Sequence, residues 1–316
     1  MLKGRISKED TMSYHLPEQS AATVYGDRLM IHQRSMSVFP WPTGVTKVFA
    51  VIGDPIDHSL SPVLLNAAFT AAKLDAVFVA LKVTREHLES ASYGIRSTGI
   101  AGLSVTMPHK ESIIGHLDRV TERARRLNSV NCVFWDDGEL VGDSTDGPAL
   151  VSSLESDLTE SIAGKSVMIM GTGGAARAIV LSLEEAGVSE IVVVGRRDEA
   201  VSKVVALGRP VAHAGTVQDA GNVDIIINAT SIGMAETDGE GRSPIPAELI
   251  ESRHFVCDII YYPAMTPLLA DARAAGARFS NGIGMLAHQA ARAFWIWTGH
   301  EPPLDVMLHV VHSRGH

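Results

Sequence analysis

The sequence lacks the features that define several classes of protein. Only two cysteines, Cys132 and Cys257, occur among its 316 residues, too few for the disulfide framework of a secreted scaffold. No apolar run approaches the roughly 18 residues that a membrane-spanning helix needs. Lys and Arg total 27 against 36 Asp and Glu, so no excess of positive charge is available for nucleic acid. We therefore expect a soluble, cytoplasmic protein with no nucleic-acid or membrane partner.

The first 46 residues differ from the rest of the chain. This stretch is polar, has no sustained hydrophobic period, and carries Pro17, Pro40 and Pro42. No apolar core of a signal peptide follows Lys3 and Arg5. We expect a disordered arm here, and the remaining length suits two domains of ordinary size.

Beyond this arm, short apolar segments of strand type alternate with helical patterns. Strands are predicted at residues 48–52, 76–81, 101–105, 131–135, 140–141, 166–170, 190–194, 224–228 and 256–260, with a hairpin turn at DDGE between the fourth and fifth. Helices are predicted at 63–73, 86–96, 122–127, from GTGGAARA to about residue 186, 267–275 and 285–297. Strands separated by helices predict an α/β fold with a mostly parallel sheet.

One segment carries the fingerprint of a dinucleotide site. Gly171, Gly173 and Ala176 follow a predicted strand and open a predicted helix, which is the context that this motif requires. The free N–H groups and the positive dipole of a helix start attract phosphate. The segment therefore predicts a dinucleotide cofactor rather than a simple packing turn.

The charges after the next strand bear on the type of nucleotide. An NAD site usually has an acid there, whereas an arginine suits the 2′-phosphate of NADP. This chain has Arg196 and Arg197 followed by Asp198. The arginines favour NADP, and Asp198 leaves NAD open.

Residues able to carry chemistry follow the strands of the first half. Ser59 and Ser61 suit a carboxylate or polyol, although taken by themselves they are better explained by ordinary helix capping with Ser61 as N-cap. Thr106 and Lys110 come just after a strand, and Asp146 opens a later helix. A Lys–Asp pair over a substrate hydroxyl makes a proton-transfer couple for dehydrogenation. A solvated lysine and an acid at a helix dipole are the plain alternatives.

Other polar residues carry weaker signals. Gln289 lies in an apolar helical pattern, and its amide can donate and accept hydrogen bonds to a polyol. Tyr261 ends a strand and also suits the edge of a core. His309, His312 and His316 have helical spacing without a metal-binding motif, so we expect no metal site.

Together these segments resemble the shikimate/quinate dehydrogenase family from about Val48 to Met307. Nine motifs stand in the family's order, namely GDPIDHSLSP, SVTMPHK, NSVNCV, GDSTDG, GTGGAARA, GRR, NATSIGM, DIIYYPAMTP and GMLAHQAARAF. One such motif is weak evidence, whereas nine in order are highly specific. The resemblance implies an α/β fold in which an N-terminal substrate domain precedes a Rossmann-type NADP-binding domain, and a C-terminal helix returns to the first domain.

The resemblance also implies domain boundaries and residue roles. The domains are an extension over 1–46, a substrate-binding catalytic domain over 47–150, an NADP-binding domain over 151–282 and C-terminal helices over 283–316. Lys110 and Asp146 match the catalytic pair. The residues implied to bind substrate are Ser59, Ser61, Thr106, Asn131, Tyr261 and Gln289. The residues implied to bind cofactor are Gly171, Gly173, Gly174, Ala175, Arg196, Arg197, Asp198, Thr230 and Gly282.

The implied activity is the reversible, NADP-dependent reduction of 3-dehydroshikimate to shikimate by a monomer or homodimer, in aromatic amino acid biosynthesis. No metal is implied, because the cofactor carries the redox chemistry. Three positions depart from the family pattern, since Ser104, Ser144 and Gly195 each replace a usual asparagine. These departures leave open quinate or aminoshikimate as substrate with NAD or NADP, and also a non-catalytic NADP-binding paralogue.

Overall fold

The computed structural model describes residues 42–313. Its strands are β1 (Lys47–Gly53), β2 (Ala76–Lys82), β3 (Gly102–Val105), β4 (Arg119–Val120), β5 (Cys132–Asp136), β6 (Glu139–Asp143), β7 (Ser166–Met170), β8 (Glu190–Val194), β9 (Ala212–Ala214), β10 (Ile225–Asn228), β11 (Phe255–Asp258) and β12 (Arg278–Ser280). Its α-helices are α1 (Ser61–Ala71), α2 (Leu88–Thr98), α3 (Glu122–Leu127), α4 (Asp146–Leu158), α5 (Gly174–Glu185), α6 (Asp198–Val205), α7 (Pro267–Ala274), α8 (Ile283–Thr298) and α9 (Leu304–Ser313). Short 3₁₀ helices lie at Arg85–His87, Ser112–His116, Ala206–Gly208, Val217–Asn222 and Ala247–Leu249.

The first sheet has six strands in the order β2-β1-β3-β5-β6-β4. Strand β1 is parallel to β2 and β3, and β4 is parallel to β6, whereas β5 is antiparallel to both of its neighbours. The predicted DDGE hairpin is confirmed, because Asp137 and Gly138 both take positive φ angles between β5 and β6, as a tight type I′ turn requires. Parallel β1 and β3 end at one edge, which brings the Ser59 and Lys110 loops together.

The second sheet is parallel throughout, in the order β12-β11-β10-β7-β8-β9. This is the order of a doubly wound dinucleotide-binding sheet, in which the topology reverses between β7 and β10. Ligands of such sheets bind at that reversal, beyond the carboxyl ends of the strands. The glycine-rich segment follows β7 there, so the predicted Rossmann-type half of the fold is confirmed.

The C-terminal helices pack against the first sheet. Phe294 of α8 and Met307 of α9 lie in one buried cluster with Phe69 of α1, and the ring centroids of Phe69 and Phe294 are 5.6 Å apart. The indole N–H of Trp297 donates to the carbonyl oxygen of Val133 in β5, with a distance of 2.9 Å. The return of the chain to the first sheet, predicted from the family resemblance, is confirmed.

The strands β4, β9 and β12 and the helix α6 escaped prediction. Strands β4 and β12 have two and three residues, too few to show an alternating pattern. The helix predicted over 86–96 begins as a 3₁₀ turn, and α2 continues to Thr98 before Gly99 ends it at a φ of 71°. Residues 1–41 of the predicted arm, and His316, lie outside the described residues. The exact domain boundaries stay predictions.

Both cysteines lie in buried strands. Cys132 is in β5 and Cys257 is in β11, and neither forms a disulfide. Burial raises the pKa of both thiols, that of Cys257 to about 12, so neither is a ready nucleophile near neutral pH. Among the described residues, no helix combines the length and apolar character needed to cross a bilayer.

A close helix contact joins the two sheets. Gly147 lies in the first turn of α4 and faces Ala178 and Ser182 of α5. A Cβ atom added at Gly147 would overlap both the Ala178 carbonyl oxygen and the Ser182 hydroxyl. Helix α4 begins with Asp146, and α5 follows the glycine-rich loop. This contact therefore joins the two sheets beside the edges that carry the predicted sites.

Gly147→Ala is expected to destabilise the protein by about 1–3 kcal/mol, because the added methyl group forces α4 and α5 apart. The measurement is the free energy of unfolding from urea denaturation. Gly94→Ala is the control, since Gly94 lies in α2 with open space around its Cβ position. That change should be neutral or stabilising by up to about 1 kcal/mol. Equal stability of the two variants would contradict the assigned contact.

Candidate functional site

An ion pair joins the loops beyond β3 and β6. The Nζ atom of Lys110 lies 2.6 Å from Oδ2 of Asp146, and their side chains are 30% and 14% exposed. Asp146 is the first residue of α4, where the helix dipole also favours a negative charge. The predicted Lys–Asp pair therefore forms, and it borders a cavity rather than open solvent.

Asn131 fixes the carboxylate of this pair. Its Nδ2 donates to Asp146 Oδ1 at 2.6 Å and to Thr145 Oγ1 at 3.0 Å, while its Oδ1 accepts from the backbone N–H of Thr145 at 2.7 Å. Both Asn131 and Thr145 are buried. Oδ1 of Asp146 is thus occupied by Asn131, which leaves Oδ2 to face Lys110.

The segment that carries Lys110 is itself held firmly. The preceding residue, His109, is fully buried, and its Nε2 lies 2.7 Å from the carbonyl oxygen of Val83. The N–H of Val130 donates to the carbonyl oxygen of Lys110 at 2.8 Å. These contacts place the lysine side chain on a rigid support within the first sheet.

The serine loop faces the same cavity. Helix α1 begins at Ser61, and its N-cap position is Leu60, with no side-chain cap hydrogen bond. The N–H of Ser61 donates instead to Ser59 Oγ at 3.3 Å. Helix capping by Ser61 is therefore wrong as an explanation of the motif, and both serines line the cavity.

The cavity has a volume of about 370 Å³ and lies between the two sheets. All the residues that the sequence implied for substrate line it, namely Ser59, Ser61, Thr106, Asn131, Tyr261 and Gln289. Burial raises the pKa of Tyr261, so its phenol remains a hydrogen-bond donor well above neutral pH. Ile259, Gly282 and Met285 complete the wall contributed by the second sheet and α8.

A second cavity of about 280 Å³ lies at the glycine-rich loop. Gly171 turns the chain at a φ of +125°, where a Cβ atom would lie 2.6 Å from the Ala229 carbonyl oxygen. The lining residues are Thr172, Gly173, Gly174, Arg177, Arg197, Glu199, Ala200 and Lys203. Three of them are cations, so the cavity suits an anionic ligand.

The remaining residues implied for the cofactor are placed as follows. Ala175 lies in the first turn of α5, and Thr230 follows β10, where its N–H and hydroxyl both donate to Asn228 Oδ1 at 3.0 and 2.7 Å. Arg196 and Asp198 are exposed and do not line the glycine-loop cavity. Gly282 lines the first cavity instead.

Sequence reasoning missed two cations at the glycine-loop cavity, Arg177 and Lys203. Lys203 Nζ pairs with Glu199 Oε1 across one turn of α6 at 2.7 Å, and Arg177 pairs with Glu111 at 2.7 Å. The signal for Arg177 was its position four residues after Gly173, one helical turn above the loop. Its partner lies 66 residues away, and no local pattern identifies such a contact.

Comparison with known proteins decides the family. The chain is 40% identical over 277 residues to the shikimate dehydrogenase (NADP(+)) of Geobacter metallireducens, which covers 84% of this chain and 96% of that protein. The chain belongs to the shikimate dehydrogenase family. The family profile for the shikimate dehydrogenase substrate binding domain matches residues 51–133, and that for the shikimate 5′-dehydrogenase C-terminal domain matches residues 282–312. The resemblance predicted from nine motifs is confirmed.

Solved structures of a shikimate dehydrogenase and of a 5-ketofructose reductase share this fold. The Listeria monocytogenes shikimate 5-dehydrogenase, solved with shikimate and NAD, superposes with a TM-score of 0.80 at 34% identity, over 87% of this chain and 99% of that one. The 5-ketofructose reductase of Gluconobacter sp. strain CHM43 superposes with a TM-score of 0.78 at 30% identity, over 86% and 100%. The predicted fold class and the predicted type of enzyme, an oxidoreductase, are confirmed.

Two of the residues that depart from the usual dehydrogenase pattern, Ser104 and Ser144, differ in whether they line the substrate cavity. Ser104 lies in β3, lines the cavity near Lys110, and is almost fully buried. Ser144 is also buried and does not line that cavity. Of these two residues, only Ser104 lines the cavity.

Asn131→Ala is expected to destabilise the dehydrogenase by about 1–3 kcal/mol, because the Asp146 carboxylate and the Thr145 N–H lose a buried partner. The measurement is the midpoint of chemical denaturation. Gln289→Ala is the matched control from the same cavity, since Gln289 makes no side-chain hydrogen bond to the described part of the chain. If both variants unfold at the same midpoint, Asn131 does not brace Asp146.

Proposed function

We propose that this chain catalyses the reversible, NADP-dependent reduction of 3-dehydroshikimate to shikimate, a step toward the aromatic amino acids. The observation that carries the proposal is the pair of Lys110 and Asp146 in a cavity lined by hydroxyl and amide groups. The cavity opens between the sheet that holds this pair and the sheet that holds the dinucleotide loop. A proton-transfer couple and a hydride donor are the two parts that an alcohol dehydrogenase needs.

The glycine-loop cavity fits NADP. Helix α5 has Gly173 as its N-cap, without a side-chain cap hydrogen bond, so its first N–H groups are free to bind phosphate. Arg177, Arg197 and Lys203 supply positive charge at the same cavity, partly offset by Glu199. This balance favours the 2′-phosphate of NADP over the ribose hydroxyls of NAD.

The substrate cavity offers separate groups for the two ends of a cyclitol acid. We propose that the hydroxyls of Ser59, Ser61 and Tyr261 donate to the substrate carboxylate. The side chains of Thr106 and Gln289, with Asn131, hold the ring hydroxyls on the opposite side. An array of neutral donors fixes the orientation of an anionic ring without placing a competing charge near the reacting carbon.

We propose that Lys110 and Asp146 act on the reacting oxygen. When bound, the nicotinamide supplies a hydride to the ring carbon of 3-dehydroshikimate. The carbonyl oxygen gains negative charge as that bond forms, and Lys110 donates the proton that converts it to the hydroxyl. Asp146 holds the Nζ atom in place through Oδ2, and the reverse reaction returns the proton to the lysine.

Ser104 supports a second candidate substrate. Its side chain is shorter than the asparagine usual in the family, and it borders the cavity beside Thr106 and Lys110. The added space suits quinate or aminoshikimate, which differ from shikimate around the ring. A non-catalytic NADP-binding paralogue is the third candidate, and it predicts cofactor binding without turnover.

We propose a cytoplasmic location and a monomeric or homodimeric state. Two unpaired, buried thiols suit a reducing compartment. The acidic balance of 27 basic against 36 acidic residues argues against a nucleic-acid partner.

Steady-state assays with shikimate, quinate and aminoshikimate, each with NADP and NAD, test the activity. Shikimate with NADP should give the highest kcat/KM of the six combinations. A higher value with quinate or aminoshikimate would assign the second candidate. No turnover in any combination, together with NADPH binding detected by fluorescence, would assign the non-catalytic paralogue.

Lys110→Ala is expected to lower kcat by at least about a hundredfold, the usual contribution of a positioned acid–base group. The KM for shikimate should change little, because the carboxylate ligands remain. Lys203→Ala serves as the control for removal of a lysine, and its effect should fall on the KM for NADPH rather than on kcat. A nearly wild-type kcat in Lys110→Ala would show that Lys110 is not the proton donor.

Arg197→Gln is expected to lower kcat/KM with NADPH about tenfold and to leave that with NADH nearly unchanged, because a charged hydrogen bond to the 2′-phosphate is lost. Arg196→Gln is the matched variant. Arg197 lines the cavity and Arg196 does not. The loss caused by Arg196→Gln should therefore be smaller than the loss caused by Arg197→Gln. A larger loss with Arg196→Gln would assign the 2′-phosphate contact to Arg196 instead.

A further inference from the structure

An ion pair crosses between the two halves of the fold beside the glycine-loop cavity. The Nη2 atom of Arg177 in α5 donates to Oε1 of Glu111 at 2.7 Å. Glu111 directly follows Lys110, and Arg177 lines the glycine-loop cavity. The pair therefore links the residue beside the proposed proton donor to the proposed cofactor site.

The Glu111 end of this pair is a rigid attachment point. Lys110 is fixed through its carbonyl oxygen to Val130, and His109 is buried against Val83. The N–H of Ile113 also donates to the His109 carbonyl oxygen at 2.9 Å. The backbone around Glu111 is therefore tied to the first sheet by hydrogen bonds on both sides of the Lys110 segment.

The Arg177 end lies where a phosphate would bind. Its Nη2 lies 3.9 Å from the position of a Cβ atom on Gly174, so the guanidinium group sits above the first turn of α5. Within residues 42–313, Nη2 is the only nitrogen of this guanidinium group with a hydrogen bond. Arginine has five N–H donors in a fork, so Nε and Nη1 remain available to a second anion.

We propose that Arg177 is a positioning residue that bridges the Glu111 carboxylate and a cofactor phosphate, and so holds the cleft closed during the reaction. This inference rests on the proposed function. With both anions bound to one guanidinium group, the nucleotide-binding sheet is drawn toward the Lys110 segment. The separation between the hydride donor and the proton donor is then set when the cofactor binds.

A contribution to folding stability does not explain the Arg177–Glu111 pair. The side chain of Glu111 is 58% exposed and that of Arg177 is 27% exposed, and ion pairs of this exposure contribute little to folding. A second pair between the same two bodies, Arg123 with Glu185 at 2.9 Å, lies at the other end of α5. Of these two pairs, only Arg177–Glu111 touches the glycine-loop cavity.

The two partners should affect cofactor binding in opposite directions. Arg177→Gln removes a charged donor to phosphate and is expected to raise the Kd for NADPH about tenfold. Arg177→Lys should recover most of that loss. Glu111→Gln removes a negative charge close to the phosphate and should lower the Kd about twofold to threefold. Fluorescence titration with NADPH measures all three values without turnover.

Both substitutions should nevertheless lower kcat, because each opens the cleft. We expect Glu111→Gln to lower kcat about threefold or more, and Arg177→Gln at least as much. In the double variant, kcat should match that of Arg177→Gln, since the bridge is already broken. Glu185→Gln is the control, which should leave both Kd and kcat within about twofold of wild type.

Three results would overturn the bridge. These are a weakened NADPH affinity in Glu111→Gln, an unchanged kcat in that variant, and losses in kcat that multiply in the double variant. Failure of the proposed activity is a separate outcome. A wild-type protein without turnover would refute the dehydrogenase, whereas the opposite Kd shifts would still test whether Arg177 contacts both anions.

Discussion

The rest of the active site depends on the close approach of α4 to α5 at Gly147. Helix α4 begins with Asp146, and α5 begins at the glycine-rich loop. Contact between the two helix backbones therefore holds the start of α4, with the proposed acid–base pair, close to α5 and the proposed cofactor loop. A side chain at this one position would separate the two halves of the site without changing any residue that meets a ligand. Glycine is thus required at position 147 by the packing of α4 against α5, and not by contact with a substrate or cofactor.

Around this contact, polar groups are arranged by charge. Neutral amides and hydroxyls line the substrate cavity, the single Lys110–Asp146 pair marks the reacting end, and cations gather at the glycine-rich loop. Asn131 occupies one oxygen of Asp146, so the carboxylate has a defined orientation before any ligand arrives. The net charge of −9 is therefore a poor guide to the site, because the positive charge is concentrated where anionic ligands would bind.

Much of the fold was predictable from the sequence. Strands such as Ser166–Met170 and Glu190–Val194 were placed with correct bounds because buried parallel strands are continuous apolar runs between clear turn signals. The dinucleotide loop and the family were predicted from motifs with fixed spacing. The site was less accessible to such reasoning. Whether Ser61 capped a helix or faced a cavity depended on backbone geometry, and the Arg177–Glu111 pair joins residues whose proximity exists only in the folded chain. The roles of individual residues stay proposals.

The return of α8 and α9 to α1 has a consequence for synthesis of the chain. The core around α1 includes Phe69, near one end of the described chain, and Met307, near the other. A ribosome releases these segments more than two hundred residues apart, about the length of a large domain. The second sheet is continuous in sequence and can assemble while the chain is still emerging. The apolar face of the first sheet therefore stays uncovered until α8 and α9 have been synthesised, and during that interval it is exposed to solvent.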